Sequence, residues 1–373
     1  MNTYFITGAT GVLGSAIVRE LLLNTSDKLI LLIRAENNEH ALKRMELLFA
    51  FLEIKLPEVK SRVEFVRGDT ELENFGVDLK SYTALGSMVT HIIHSAASVR
   101  MNSPLAVARS ASVSATENIL KFANLCQENK VLKKIEVVST VGVGGKWKGA
   151  LPERWIHESR VFHNTYEQSK AEAELILEEY LIKGFPITVH RPSMIVGHSK
   201  TGHILHFQIF YHLIEFLSGR RTGGFLPDLS SRRVDLIPAD YVSQAIMWSS
   251  KTHQSVGKIL HLCSGPEFSA PLEKIKALVE KKFCERGLVI PKSFTLPISW
   301  FSKATQLMMQ FSLAHQKRKL AVLPIFLEYL LEEQDFSNTN TVNLLNTQGI
   351  VLPDPQNFLE PVINYYLDDT TTY

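Results

Sequence analysis

The sequence is poor in several features that mark special classes of protein. Its 373 residues contain only three cysteines, Cys126, Cys263 and Cys284, which lie far apart. So few cysteines provide neither a disulfide framework nor a zinc-ligand spacing, and we expect a reducing compartment and no metal site. The formal net charge of +2 gives no strong attraction for nucleic acid. No apolar run is long enough to span a bilayer.

We also expect no secretory leader, because Met1, Asn2 and Thr3 lead directly into an apolar segment. We therefore expect a cytoplasmic protein. The hydrophobic fraction of 45% and the charged fraction of 21% are ordinary for a globular domain. A chain of this length can form one large domain with a smaller second region.

Short apolar runs alternate with helical patterns through the first two-thirds of the chain. The apolar runs predict strands at residues 4–7, 29–33, 63–67, 91–94, 134–139 and 187–190, and residues 259–262 resemble a return to the sheet. The segments between them predict helices at 15–23, 39–52, 106–127 and 166–183. Apolar strands each followed by a helix indicate an α/β fold with a doubly wound parallel sheet of the Rossmann type. Its ligand site is expected at the carboxyl ends of the strands.

The alternation stops after Pro192, which predicts a second region. We expect a cofactor-binding Rossmann domain of residues 1–197 and 235–263, and a smaller, mainly helical capping region of residues 198–234 and 264–373. Aromatic side chains in the capping region would either line an apolar substrate pocket or form that region's core. They are Phe207, Phe210, Tyr211, Phe216 and Phe225.

A later stretch, residues 300–333, combines apolar side chains with the basic run 315–319. It would serve as an apolar lid over a substrate, as a basic patch for an acidic protein partner or for peripheral membrane contact, or as an ordinary solvated helix face. The apolar side chains are Met308, Met309, Phe311 and Leu313.

A glycine-rich turn directly follows the first predicted strand. Gly8, Gly11 and Gly14 are spaced for a tight turn that leads into a helix. Backbone N–H groups and the positive end of the helix dipole then meet at one point, which suits a pyrophosphate. We therefore predict a dinucleotide site here. Its other contacts in the turn are Thr10, Val12 and Leu13.

Arg34 stands at the end of the second predicted strand, where NAD-binding folds carry an acidic residue for the ribose 2′-hydroxyl. A guanidinium pairs with a 2′-phosphate that a carboxylate would repel, so we favour NADP(H), with Arg44 as a second contact. The alternative is an arginine on a solvated strand edge. Asp69, followed by Thr70, would accept a hydrogen bond from adenine or else cap a turn.

Small residues close the fourth predicted strand and would let the cofactor pass close to the backbone. Ala96 and Ala97 are the predicted contacts, whereas His94 is interpreted as a structural histidine.

Tyr166 and Lys170 open a predicted helix at i, i+4 spacing, which places both side chains on one helical face. A free tyrosine, with a pKa of about 10, is a poor acid or base at neutral pH, and a nearby lysine cation would lower that pKa. Thr140, at the end of the fifth predicted strand, would donate a hydrogen bond to a substrate carbonyl. The three residues predict an acid–base site for hydride transfer.

Together these residues resemble the extended branch of the short-chain dehydrogenase/reductase superfamily, and within it the thioester reductases. That group includes the fatty acyl-CoA reductases and the reductase domains of carboxylic acid reductases and nonribosomal peptide synthetases. The resemblance covers essentially the whole chain, with one departure: Ser112 stands where the family usually has asparagine. It rests on residues 7–14, Arg34, Arg44, 68–69, 94–99, Ser139, Thr140, Tyr166, Lys170, 190–197, 237–242 and 336–340.

The resemblance implies a reaction. NADPH would deliver hydride to the carbonyl carbon of an acyl thioester while Thr140 and Tyr166 stabilise the oxygen, giving an aldehyde or, after a second transfer, an alcohol. Lys170 would hold the nicotinamide ribose, and Pro192 with Ile195 would line the nicotinamide end.

The substrate implied is an acyl-CoA or an acyl group on the phosphopantetheine arm of a carrier protein, and Ser139 is a further expected cofactor contact. Two alternatives stay open. One is an extended-branch dehydrogenase or epimerase of nucleotide sugars or hydroxysteroids, and the other is a non-catalytic NADP(H) sensor.

Overall fold

The computed structural model describes residues 1–297, 300–301, 303 and 335–370. The chain forms two compact units. The first contains Met1–Ser193, Ala239–Cys263 and Phe336–Leu352, and the second contains Met194–Pro238, Ser264–Asp335 and Pro353–Tyr373. Most of the predicted lid or basic patch, including Met308 to Leu313 and the run 315–319, lies outside the described residues.

These units differ from the predicted domain boundaries in three short segments. Met194–Val196 pairs with Leu236–Pro238 in a separate parallel ribbon, so both strands belong to the second unit. Phe336–Leu352 belongs to the first unit, where the Ser337 N–H donates to the Leu151 carbonyl oxygen over 3.0 Å.

A seven-stranded parallel sheet forms the centre of the first unit, which confirms the predicted fold class. In chain order its strands are β1 (Thr3–Thr7), β2 (Lys28–Ile33), β3 (Val63–Arg67), β4 (His91–His94), β5 (Lys134–Val138), β6 (Ile187–Pro192) and β7 (Ile259–Leu262). Across the sheet they lie in the order β7-β6-β5-β4-β1-β2-β3. The strand order reverses beside β1, and ligands of open α/β sheets bind at such a point.

Both faces of the sheet are covered, so most residues of its strands are buried. On one face the Phe5 ring packs against Phe75 and Phe122, with ring centroids 5.3 and 4.9 Å apart. On the other face the neighbouring Tyr4 ring stacks on His91 at 4.5 Å. Successive residues of β1 thus serve two different cores, as the period of two in a strand requires.

Helices connect the strands, and two of them differ from prediction. The first helix begins at Val12 rather than at residue 15, because Gly14 is helical and packs on the turn before it. The helix predicted at 106–127 is interrupted by a π-helical turn at Ser110–Ser114. The helices of this unit are Val12–Asn24, Asn38–Leu52, Leu56–Val59, Leu79–Gly86, Leu105–Arg109, Ala115–Glu128, Thr165–Ile182, Ala239–Ser250 and Thr339–Asn346, with 3-10 turns at Glu73–Gly76 and Val141–Gly144 and a short strand at Ala150–Leu151.

The second unit combines helices with short paired strands. Its helices are Ile209–Leu217, Gly265–Phe268, Leu272–Glu285 and Pro355–Thr370, and its strands are Met194–Val196, Phe225–Pro227, Arg233–Val234, Leu236–Pro238, Ala270–Pro271 and Phe294–Leu296, with Asp335–Phe336 at the boundary. No helix among the described residues is both long and apolar enough to cross a bilayer.

The aromatic side chains of this unit divide into two groups. Phe210, Tyr211 and Phe216 are buried, so they form core, as the plainer interpretation predicts. Phe225 is 48% exposed and stacks on Phe294 at 5.6 Å between ring centroids.

Candidate active site

The glycine-rich turn lies at the carboxyl end of β1, against the segment that follows β4. Gly8 has a φ of +73°, and a Cβ there would come within 2.6 Å of the Ala96 nitrogen. A Cβ on Gly14 would overlap the Gly8 carbonyl oxygen. Among the described residues no side chain caps the N-terminus of the first helix, whose N-cap is Gly11. Its free N–H groups and the space left by the missing Cβ atoms fit a dinucleotide pyrophosphate.

Thr7 and His94 join the ends of β1 and β4. Thr7 Oγ1 lies 2.8 Å from His94 Nδ1 and accepts from the Ala96 N–H over 3.2 Å. Burial, followed by the charge of Lys170, lowers the pKa of His94 to about 3. His94 is therefore neutral at physiological pH, in keeping with a structural role. Ala97, in the same loop, is exposed.

Arg34 and Arg44 meet beside the glycine-rich turn. The Arg44 guanidinium donates to the Arg34 carbonyl oxygen and to Thr10 Oγ1. Burial lowers the pKa of Arg44, and the positive charge of Arg34 lowers it further. The two guanidinium groups carry like charges that repel each other, so an anion bound between them would be stabilised.

Two carboxylates balance the exposed guanidinium of Arg34. Its Nη1 lies 3.4 Å from Glu71 Oε1 and 3.9 Å from Asp69 Oδ2. Asp69 Oδ1 also accepts from the Glu71 N–H over 3.0 Å, which is the turn-capping role considered from the sequence. The carbonyl oxygen of Thr70, whose side chain is buried, accepts from Asn118 Nδ2 over 2.9 Å. Glu71 was not predicted, and its only sequence signal was its position two residues after Asp69.

The helix Thr165–Ile182, hereafter the Tyr166 helix, runs beside the end of β5. Lys170 Nζ donates to the Val138 carbonyl oxygen over 3.0 Å. Thr140 lies two residues after Val138. Its side chain is hydrogen bonded to Tyr166 and also accepts from the Gly142 N–H over 3.1 Å. The structure therefore brings together the three residues that the sequence nominated for catalysis.

The protonation of this group differs from the expected one. Burial raises the pKa of Tyr166 to about 12, the Glu167 carboxylate raises it further, and the hydrogen bond with Thr140 opposes the increase. Burial lowers the pKa of Lys170 to about 8, against the opposing effect of Glu174. The expected depression of the Tyr166 pKa by Lys170 is not found, because burial dominates and the amine contacts the Val138 carbonyl. Tyr166 is thus held as a protonated phenol.

Ser139, between Val138 and Thr140, is also tied to the Tyr166 helix. Its Oγ donates to Glu174 Oε1 over 2.5 Å. Glu174 lies one helical turn beyond Lys170 and pairs with Arg191, with Nη2 2.5 Å from Oε2. Neither residue of this pair was predicted as a site residue, although the i, i+4 spacing from Lys170 was a signal for Glu174.

Ser112, where the family usually has asparagine, lies in the π-helical turn Ser110–Ser114. Its Oγ is 3.1 Å from Ser169 Oγ, and Ser169 donates to the Tyr166 carbonyl oxygen over 3.0 Å. The position is therefore connected to the start of the Tyr166 helix. Of the two remaining predicted contacts, Pro192 ends β6 and Ile195 belongs to the second unit.

Comparison with known proteins identifies the family of the chain. Residues 6–246 match the NAD-binding family described as Male sterility protein. The chain belongs to this family. L-2-aminoadipate reductase of Schizosaccharomyces pombe is 30% identical over 279 residues, which are 71% of this chain but 19% of that protein. The chain thus spans about a fifth of that relative's length.

Solved structures agree on the fold. The terminal R domain of the myxalamid PKS-NRPS pathway superposes with a TM-score of 0.82 at 24% identity, over 100% of this chain and 92% of that one. A thiolation-reductase di-domain of an archaeal nonribosomal peptide synthetase gives 0.78 at 19% identity, over 100% and 76% of the two chains. The fold is therefore the one found in these reductase domains, and the family is an NAD-binding one.

Proposed function

We propose that this chain is an NADPH-dependent reductase that converts an acyl thioester to an aldehyde. The observation that carries the proposal is the convergence of Thr140, Tyr166 and Lys170 at the end of β5, with the charge of Lys170 reaching His94 at the end of β4. These acid–base groups therefore lie at the carboxyl ends of the strands, where the glycine-rich turn also lies. A pure sensor of cofactor has no need of such a set.

Each residue has a definite part in the reaction. NADPH, when bound at the glycine-rich turn, would supply hydride to the carbonyl carbon. Tyr166, protonated over the whole neutral range, donates its proton to the carbonyl oxygen, and the Thr140 hydroxyl orients the phenol and assists as a second donor. The hemithioacetal then collapses: its O–H and C–S bonds break, the C=O bond re-forms, and the hydroxyl proton passes to the departing thiolate, which leaves as a thiol. The Tyr166 phenolate recovers its proton from solvent. The Lys170 ammonium holds the nicotinamide ribose by hydrogen bonding.

NADPH is preferred over NADH because of the charge beside the glycine-rich turn. Arg34 and Arg44 stand where a ribose 2′-phosphate would lie, and their mutual repulsion is relieved by an anion. Arg34 is exposed, so it can exchange its contacts with Glu71 and Asp69 for the phosphate. Thr10 offers a further hydroxyl at the same place.

The acyl thioester itself is supported by the relatives. One is an L-2-aminoadipate reductase, another is a terminal R domain of a PKS-NRPS pathway, and a third is joined to a thiolation domain. These names favour an acyl group bound to a carrier protein or to coenzyme A. A carrier-bound substrate would make the carrier protein a partner of this chain.

The test follows NADPH oxidation with three substrates: dodecanoyl-CoA, the dodecanoyl group on a phosphopantetheinylated carrier protein, and free dodecanal. Conversion of UDP-galactose to UDP-glucose is followed separately by chromatography with the oxidised cofactor, because epimerisation causes no net oxidation of NADPH. We expect turnover with a thioester and formation of aldehyde and free thiol. Conversion of the nucleotide sugar alone would favour the epimerase alternative. Binding of NADPH without turnover of any of the four substrates would favour the sensor.

A further inference from the structure

A buried polar chain leads away from the proposed acid–base group through the first unit. It begins at Ser139, whose hydroxyl donates to Glu174 Oε1 over 2.5 Å. Arg191 donates two hydrogen bonds to the same carboxylate, from Nε to Oε1 over 3.0 Å and from Nη2 to Oε2 over 2.5 Å. A carboxylate held by one hydroxyl and a forked guanidinium has little rotational freedom.

The chain continues from Arg191 to His261 on β7. Arg191 Nη1 lies 3.2 Å from His261 Nε2, and His261 Nδ1 lies 2.7 Å from the Ser337 carbonyl oxygen. Because a carbonyl only accepts, Nδ1 carries the proton and Nε2 accepts from the guanidinium. Burial, followed by the charge of Arg191, lowers the pKa of His261 to about 3, so this tautomer persists through the neutral range.

Stability alone does not account for the Glu174–Arg191 pair. Both side chains are almost completely buried, and burying two charges costs several kcal/mol that their attraction only partly restores. Apolar residues of similar volume often serve folding equally well at such positions. The placement of the pair is informative: its carboxylate lies one helical turn from Lys170 and contacts the residue before Thr140.

We propose that Glu174 is a positioning residue of this site, whose carboxylate fixes Ser139 at the end of β5 and faces the Lys170 ammonium, while Arg191 and His261 hold the carboxylate in place. This inference rests on the proposed function for its catalytic consequence. Val138, Ser139 and Thr140 are then each held by one turn of the Tyr166 helix. Loss of the Glu174 charge would loosen the strand end and leave Lys170 without its counter-charge.

Few groups besides Glu174 bear on the charge of Lys170. His94 from β4 is neutral, and Tyr166 on the same helix stays protonated up to high pH. Arg191 from β6, and Arg160 from the segment before the helix, face Glu174. On the Tyr166 side, His163 Nδ1 lies 2.9 Å from the buried Glu167 carboxylate. Burial lowers the pKa of Lys170 to about 8, so Lys170 loses its proton at a lower pH than an ordinary lysine.

The test compares Glu174→Gln with Glu172→Gln, a matched control on the same helix whose carboxylate makes an exposed ion pair with Arg109 at 2.7 Å. NADPH binding is measured by fluorescence from pH 6 to pH 10, and thioester turnover is measured in parallel. For Glu174→Gln we expect the alkaline loss of NADPH binding to move down by about one pH unit and kcat/KM to fall on the order of 10-fold. For the control we expect neither change.

A double variant, Glu174→Met with Arg191→Leu, controls for destabilisation by an unpaired buried charge, because it removes both charges of the pair. It is expected to fold and to show the same shifted binding profile. Wild-type pH profiles for NADPH binding and turnover in both Glu174 variants would overturn the inference. Wild-type protein that binds NADPH and reduces no thioester would overturn the proposed function instead, and the binding profiles would still decide the role of Glu174.

Discussion

Lys170 donates a hydrogen bond from Nζ to the carbonyl oxygen of Val138 over 3.0 Å, which ties the Tyr166 helix to the last residue of β5. Lys170 is only 5% exposed, and the oxygen that its amine contacts belongs to the strand end that also leads to Thr140. A cation held in this way has lost most of its water, so its charge is less stable than usual. The catalytic geometry and the titration of Lys170 therefore have a common cause.

Removal of the Tyr166 hydroxyl should abolish proton donation without disturbing the cofactor site. For Tyr166→Phe we expect kcat to fall roughly 10²–10⁴-fold, with an unchanged dissociation constant for NADPH. Thioester-dependent NADPH oxidation and fluorescence titration measure the two quantities. Tyr180→Phe is the control, since Tyr180 lies on the same helix and its ring contacts Phe185 and Lys183. Equal activity of both variants would exclude Tyr166 as the acid.

The activity of the free enzyme should decline on the alkaline side of neutrality. Lys170 acts as a cation, and its pKa of about 8 means that it loses its proton as the pH rises through that value. Tyr166, with a pKa raised to about 12, stays protonated over the same range and contributes no limb there. We expect kcat/KM to fall above about pH 8. A profile flat to pH 10 would show that Lys170 is neutral in the active form or keeps its proton.

The seven-stranded sheet could be predicted because each strand carries its own signal. Runs such as residues 29–33 are apolar throughout, as a strand buried on both faces must be. Tyr166 and Lys170 could be paired for the same reason, since their spacing places them on one side of a helix. In both cases the information lies within a few neighbouring residues.

Other features of the site depend on residues distant in the chain. Glu174 lies 35 positions after Ser139 and 17 positions before Arg191. No short sequence pattern therefore indicates that the three residues form one network. The direction of the Tyr166 pKa shift was wrong in prediction because the spacing reveals a nearby lysine but not the burial that outweighs it. Likewise the spacing of the glycines predicts that Gly14 lies in the turn, whereas it lies in the first helix. Because Gly14 has no Cβ, this helix can begin in contact with Gly8.

Arg34 should determine the preference between the two nicotinamide cofactors. For Arg34→Ala we expect the KM for NADPH to rise about 10- to 100-fold, the effect of losing one charge-assisted contact, while the KM for NADH changes little. Steady-state kinetics with both cofactors measure the ratio. Arg67→Ala is a matched control, because Arg67 also ends a strand of the sheet but bonds to Asn38 and Glu36. An equal loss for NADH and NADPH would assign Arg34 to general folding rather than to the 2′-phosphate.

Burial of Lys170 should also be visible in stability, independently of any substrate. Its pKa in the folded chain is about 8, below the value of about 10.4 for an unfolded lysine. Folding therefore disfavours the cation below pH 8, and this penalty disappears as the pH rises from about 8 to 10.4. In that window the wild-type protein should gain about 3 kcal/mol relative to Lys170→Met, which has no charge to lose.

At pH 7 the Lys170→Met variant should be about 2 kcal/mol more stable than wild type, since removing the charge outweighs the loss of roughly 1 kcal/mol for the unpaired Val138 carbonyl. Urea denaturation at pH 7 and pH 10 gives the four free energies of unfolding. Lys183→Met is the control, because Lys183 follows the same helix and is exposed. If Lys170→Met and Lys183→Met show the same dependence on pH, Lys170 is fully hydrated in solution. Its contact with Val138 would then be too weak to align the Tyr166 helix with the end of β5.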